Sequence, residues 1–147
     1  YEDIRKKALS LHNVKGFDLL PTERISEVYS LADVGLITCK KGTGNAAMPS
    51  KTYSMMACDI PIIASFDVES DLNDILINSG AGKCIEPGNA QLLADEISEM
   101  YRHIKSADYS KPDIRDYAVK NFSKNICVNK YVEIIEQAYK TAKKEID

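Results

Sequence analysis

Apolar positions along the chain alternate between two rhythms, one helical and one of short continuous runs. Between residues 2 and 11, Ile4, Ala8 and Leu11 fall on one side of a helix, and Asn13 breaks it. Residues 14–18, Val-Lys-Gly-Phe-Asp, read as a strand interrupted by a glycine. Leu19, Leu20 and Pro21 turn the chain, and Thr22 is placed to cap a helix over 23–31 that carries Ile25, Val28 and Tyr29. Ile25 stands where a capping box would need Glu or Gln. A strand over 34–38 follows at once. Pro49 then occupies a favoured first helical position, opening a helix over 50–58 with Tyr53, Met56 and Ala57 inward. Pro61-Ile62-Ile63-Ala64-Ser65 is nearly all apolar, as a strand covered on both faces should be. A helix over 70–79 puts Leu72, Ile75 and Leu76 inward, and a strand over 82–86 closes at Pro87-Gly88. Asn89 caps a longer helix that carries Leu92, Leu93, Ile97, Met100 and Ile104. Ser110-Lys111-Pro112 opens a short helix to residue 120, and a last helix over 124–144 shows Val128, Tyr131, Val132, Ile135 and Tyr139 at helical spacing.

Strands alternating with helices predict an α/β fold. The expected architecture is a Rossmann-like parallel sheet of about four strands with helices on both faces, plus two C-terminal helices. No repeat or linker divides the chain, so residues 1–147 are expected to form one domain. Open sheets of this kind bind ligands outside the carboxyl ends of their strands. Those ends lead here into Leu19–Thr22, Cys39–Ser50, Ser65–Ser70 and Glu86–Asn89, and the second loop is the longest and richest in glycine.

Composition narrows the function classes. The 147 residues carry 19 Lys and Arg against 22 Asp and Glu, a net charge of −3 that argues against a nucleic-acid binder. The 44% hydrophobic and 28% charged content is that of an ordinary globular protein. No apolar run is long enough to span a membrane, and with no basic stretch followed by an apolar one at its start no signal peptide is expected. The expected location is the cytoplasm. Cys39, Cys58, Cys84 and Cys127 are widely spaced, and His12 and His103 are the only histidines, so neither a zinc site nor a disulfide framework is expected. The start on Tyr1 rather than Met suggests a piece of something longer.

The stretch that points to chemistry is Gly42-Thr43-Gly44-Asn45-Ala46-Ala47-Met48-Pro49-Ser50-Lys51. Small residues run straight into a helix start, where unpaired N–H groups and the helix dipole attract anions. This is a candidate phosphate cradle, although the Gly-x-x-x-x-Gly-Lys-Ser/Thr pattern of a P-loop is absent. Around it stand further pieces in fixed order. They are Asn13-Val14-x-Gly16-Phe17, Leu20-Pro21, Tyr29-Ser30-x-Ala32-Asp33-Val34, Met48-Pro49-Ser50-Lys51, Met56-Ala57-Cys58-Asp59-x-Pro61-Ile62-Ile63-Ala64-Ser65, Gly80-x-Gly82 and Glu86-Pro87-Gly88-Asn89. Together they resemble the C-terminal, donor-binding half of a family 4 glycosyltransferase of GT-B architecture, of the kind that builds bacterial surface polysaccharides.

That resemblance implies a nucleotide-sugar donor, UDP-linked by family habit, and transfer to a glycan or a lipid-linked acceptor. It implies that Leu20 and Pro21 lie against the nucleotide base. Asn45, Ala46, Ala47 and Met48 would hold the diphosphate and sugar through backbone N–H groups, with Ser50 and Lys51 nearby. The family's two glutamates, one for the donor sugar and one for the ribose hydroxyls, fall at Ala46 and Ser54. Ser54 keeps a hydroxyl for the ribose, a weaker partner than a carboxylate. No catalytic residue is assigned, because the acceptor half and any catalytic base belong to the other half of such an enzyme. The chain alone is expected to be inactive. No cofactor or metal is implied, and no Asp-x-Asp motif is present. Membrane contact, at the inner membrane, is expected only through the missing half, and an open sheet edge could pair with a second copy.

Blander readings stand beside these. Lys51 can be a solvated helix lysine and Ser54 a small helix residue, and Glu69 and Asp71, which follow the strand ending at Ser65 and could touch a sugar, read rather as helix caps. His103 reads as a surface histidine, and His12 as a cation suited to a helix C-terminus. A response-regulator receiver would need an acidic cluster at the strand ends, where Asp18, Cys39, Ser65 and Glu86 stand instead. A sugar-nucleotide epimerase would need carboxylates around the sugar. An α/β interaction domain that has lost its donor site is the remaining alternative.

Overall fold

A computed structural model describes residues 2–18, 20–44 and 46–144. The chain divides into two compact units, one ending at Leu31 and the other beginning at Ala32. In the first unit, α1 (Glu2–Leu9) is followed by irregular chain, a 3-10 turn (Thr22–Arg24) and α2 (Ile25–Ser30). Thr22 opens the 3-10 turn rather than capping it, and Pro21 takes the cap position.

The strand expected over 14–18 does not form. The Val14 N–H closes a turn onto the Leu11 carbonyl at 3.4 Å, and Val14 and Phe17 are 42% and 77% exposed. A lone five-residue strand is stable only with a partner's hydrogen bonds and a covered face. This segment has no covered face, and Gly16 adds backbone entropy to the cost.

The second unit holds β1 (Gly35–Thr38), α3 (Lys51–Ala57), β2 (Ile62–Ser65), α4 (Asp71–Asn78), β3 (Gly82–Ile85), α5 (Ala90–Ile104), α6 (Ile114–Phe122) and α7 (Lys124–Lys144). The three strands form one parallel sheet in the order β1-β2-β3, one strand fewer than the sequence pattern suggests. Gly35 pairs with Ile62, and Ile62 with Gly82. Every residue of β2 is buried, so both faces of the central strand are covered. In β1 only Gly35 and Ile37 are buried, while Leu36 and Thr38 face solvent. The core gathers around β2 and includes Met56, Ile62, Ile63, Phe66, Leu72 and Leu76.

Helix α3 is turned by one residue from the expected face. Thr52, Met55 and Met56 are buried, Tyr53 is half-buried and Ala57 is exposed. The cause is that α3 meets both β1 and α6, and its Tyr53 ring stands edge-on to Phe122 of α6 at 4.9 Å. The fully buried Thr52 hydroxyl has no hydrogen-bond partner. An unpaired buried hydroxyl carries its desolvation cost with no return, so Thr52→Val should stabilise the protein by about 1 kcal/mol. The urea midpoint should rise with the slope unchanged. A lower midpoint would mean that the hydroxyl is paired.

The expected caps are partly realised. The Leu92 N–H donates to Asn89 Oδ1 at 3.0 Å at the start of α5. For α6 the cap is Asp113, one residue beyond Pro112, and it accepts from the Asp116 N–H at 2.8 Å. The apolar stripe of α5 is shallow: Leu92, Leu93, Met100 and Ile104 are half-buried and Ile97 is exposed. From Val128 to Lys143 every residue of α7 is exposed.

Candidate functional site

The carboxyl ends of β1, β2 and β3 open into the segment leading to α3, the turn at Phe66–Ser70, and Glu86. These ends enclose a cleft of about 350 Å³, lined by Lys41, Gly42, Asp67, Val68, Glu69 and Glu86. Its position is the one that open parallel sheets use for ligands.

Asp67 organises the cleft. It follows the buried Phe66, whose N–H donates to the Ile85 carbonyl at 3.0 Å and so fixes where the turn leaves the sheet. Asp67 Oδ1 accepts from the Gly42 N–H at 2.9 Å, and Oδ2 from the Gly44 N–H at 2.6 Å. The N–H groups of Gly42 and Gly44 hold the Asp67 carboxyl below its usual range, against a smaller upward push from burial and with help from Lys41. The carboxylate therefore stays ionised at neutral pH. The Lys41 ammonium is 3.2 Å from Glu86. Glu69 completes the lining, and Ser70, at the start of α4, turns its hydroxyl back to the Asp67 carbonyl at 2.6 Å. Neither Glu69 nor Asp71 caps α4; Ser70 holds the cap position. Three carboxylates with one lysine make a wall of acceptors, chemistry that suits hydroxyl donors better than anions.

Among the described residues, none of those predicted from sequence to hold the donor lines this cleft. Asn45 is outside the described residues. Ala46 and Ala47 are exposed, and both direct their N–H groups to the Thr43 carbonyl, at 3.0 and 3.2 Å. Met48 is half-buried, and Ser50 precedes α3 with no cap bond from its side chain. Lys51 opens α3, and Ser54 follows at the helical spacing that puts both on one face, each exposed. Leu20 and Pro21 are exposed residues of the first unit. There Leu20 borders an apolar groove of about 370 Å³ with Phe17, Ile25, Val28 and Leu31.

Sequence reasoning did not single out Lys41 or Asp67, and it placed Glu86 at a strand end and in the Glu86-Pro87-Gly88-Asn89 motif without assigning it a role. The available signal was the strand-end rule applied to all three loops at once, with a Gly-x-Gly that invites close approach by an acceptor. Burial pushes the Cys84 thiol of β3 up to about 11, which keeps it protonated and poor as a nucleophile. His12 lies beyond the end of α1, and exposed His103 stands edge-on to Tyr109 at 5.1 Å. Among the described residues no group of three or more His, Cys, Asp or Glu gathers to hold a metal ion, and no helix is long and apolar enough to cross a membrane.

The chain is distantly similar to a glycosyltransferase. It is 26% identical over 136 residues to the Probable glycosyltransferase WbjE of Pseudomonas aeruginosa, covering 91% of this chain and 34% of that protein. The chain thus spans about a third of the length of this relative. No family model and no solved structure matches. The parallel sheet fits a Rossmann-like domain.

Proposed function

We propose that this chain is the donor-binding part of a family 4 glycosyltransferase of GT-B architecture, acting on a UDP-linked sugar within polysaccharide biosynthesis. The observation that carries the reading is the cleft at the carboxyl ends of β1–β3, where a ligand of this fold belongs. The ordered motifs and the distant likeness to a glycosyltransferase agree with it. Glu69 and Glu86 offer the sugar hydroxyls carboxylate acceptors that Ala46 does not. The resemblance assigns the diphosphate to the segment entering α3, where Met48, Ser50 and Lys51 stand, and the Thr52 N–H of its first turn already donates to the Pro49 carbonyl at 3.0 Å. The N–H groups of Ala46 and Ala47 can join only by releasing Thr43. Ser54 is one turn further for the ribose, and the resemblance assigns the base to Leu20 and Pro21.

In transfer, the bond from the anomeric carbon to the diphosphate breaks and the nucleoside diphosphate leaves with added negative charge. Preorganised N–H groups and the Lys51 ammonium would stabilise that charge. The acceptor and any base would come from another part of the protein, so this chain alone should transfer no sugar.

Amide chemical shifts of the chain during titration with UDP and UDP-glucose test the reading. Shifts are expected at Met48, Ser50 and Lys51 with both probes, and additionally at Glu69 and Glu86 with the sugar. Lys51→Ala should weaken UDP binding about three- to tenfold, the size expected for a partly solvated charged contact. Absence of shifts at millimolar UDP would leave the alternative, an α/β interaction domain without a donor site. That alternative draws on the alanine and serine at positions 46 and 54.

A further inference from the structure

The cleft at the strand ends carries an unbalanced charge. It holds three carboxylates, Asp67, Glu69 and Glu86, and among its described lining residues Lys41 is the one cation. That ammonium is already engaged, 3.2 Å from Glu86. Asp67 keeps its charge as well, because the N–H groups of Gly42 and Gly44 donate to its oxygens at 2.9 and 2.6 Å. The carboxylates come from two strand ends, Asp67 and Glu69 after β2 and Glu86 after β3. Three carboxylates less one ammonium leave two negative charges in excess, and they belong to the cavity as a whole. A cleft of about 350 Å³ is roughly 7 Å across, less than the Debye length of about 8 Å at physiological salt, so a ligand seated in it meets all four charges with little screening. Val68, 37% exposed, adds an apolar surface between Asp67 and Glu69. Carboxylates accept hydrogen bonds from hydroxyls, an apolar side chain covers ring C–H groups, and no uncommitted cation lines the described cleft to receive an anion.

We propose that this cleft selects its sugar by charge: it accepts a neutral or amino-bearing pyranose and rejects one that carries a carboxylate. This names the substrate class of the site described under Proposed function, and it rests on that reading. Glu69 and Glu86 thereby gain a role beyond accepting hydrogen bonds from hydroxyls, the exclusion of acidic sugars. A carboxylate brought beside two uncompensated ones is repelled, and no contact in the cleft offsets the repulsion. Lys41 makes the discrimination adjustable. While Glu86 is ionised, the ammonium is spent on it. With a neutral side chain at position 86, the ammonium would be free to take a sugar carboxylate.

The test is titration of the full chain with UDP, UDP-glucose, UDP-glucosamine and UDP-glucuronate, followed by the amide shifts of Glu69 and Glu86 and by the dissociation constants. UDP-glucuronate differs from UDP-glucose only in a carboxylate in place of the C6 hydroxymethyl group. The parent chain should bind UDP-glucuronate at least about tenfold more weakly than UDP-glucose, and UDP-glucosamine at least as tightly as UDP-glucose. At about 1 M salt, where the Debye length falls to about 3 Å, the gap should shrink. The double variant Glu69→Gln/Glu86→Gln keeps an oxygen acceptor at each position and removes both charges, so there the gap should close or reverse. Both glutamates are exposed, and unchanged amide shifts in α5 and α6 certify that the variant is folded. Equal affinity for UDP-glucose and UDP-glucuronate in the parent chain would overturn charge selection and leave the donor-site reading standing. A gap of the same size in the double variant would also overturn it, because shape and not charge would then set the preference. Binding of neither UDP nor any of the UDP-sugars would overturn the donor-site reading, and charge selection with it.

Discussion

Gly82→Ala is expected to cost at least about 4 kcal/mol, enough to leave the chain largely unfolded. Gly82 opens β3 opposite Ile62, with φ at +152°. A Cβ built there would lie 1.8 Å from the Ile62 carbonyl oxygen and 2.9 Å from its carbon. Neither atom can yield, because both belong to the backbone of the wholly buried central strand. The Ile62 N–H donates to the Ala81 carbonyl at 2.7 Å, so relieving the collision would break the sheet at this register. Thermal unfolding followed by circular dichroism should lose its cooperative transition. Gly16→Ala, at a site with no atom within 4 Å of the added carbon, should keep it. A Gly82→Ala protein melting within a few degrees of the parent would show that β2 and β3 do not approach as described.

Asp59→Ala should produce the second largest loss, about 2 kcal/mol. Asp59 follows α3 with φ at 61°, the left-handed conformation that ends many helices and favours glycine. Its carboxylate adds a second function. Oδ1 accepts from the Arg115 N–H at 3.2 Å and Oδ2 lies 2.8 Å from the Lys111 ammonium, which ties the end of α3 to the start of α6. Alanine would lose both contacts and still pay for the left-handed backbone. Glycine would lose the contacts but relieve the backbone, so Asp59→Gly should cost less than Asp59→Ala. The order of the two urea midpoints checks this.

The same carboxylate predicts an acid dependence. Burial pushes its pKa up, but the hydrogen bond from Lys111, the Arg115 N–H and the Lys111 charge outweigh that and leave it below the ordinary value. A depressed folded pKa means stability that is present above the unfolded value, about 3.9, and lost as pH falls through the folded one. The stability gap between the parent and Asp59→Ala should therefore hold from neutral pH down to about pH 4 and narrow below it.

Much of the second unit was legible because its signals are local. The all-apolar run at 61–65 marked a strand covered on both faces. Asn89 marked a helix start, and the spacing of Leu72, Ile75 and Leu76 marked the inner side of α4. Where the reading failed, the deciding term was not local. Residues 14–18 have strand character, but strand character counts only when a partner supplies hydrogen bonds and a covered face. The rotation of α3 came from packing against α6, whose ring contact through Phe122 lies 69 residues from Tyr53.

The site divides in the same way. The sequence by itself determined that the strands point their carboxyl ends toward loops 39–50, 65–70 and 86–89, because alternation of strand and helix leaves parallel pairing as the economical arrangement. It also determined that the first of these loops is rich in small residues and runs into a helix. Only the tertiary structure decided which groups meet. Asp67 and Gly44 are 23 residues apart, and Lys41 and Glu86 are 45 apart. Contacts over such spans depend on strand register and on the direction of each turn, and both are set by burial around β2 rather than by any local preference. That is why a cleft lined by carboxylates emerged beside a loop whose composition alone suggested a phosphate cradle.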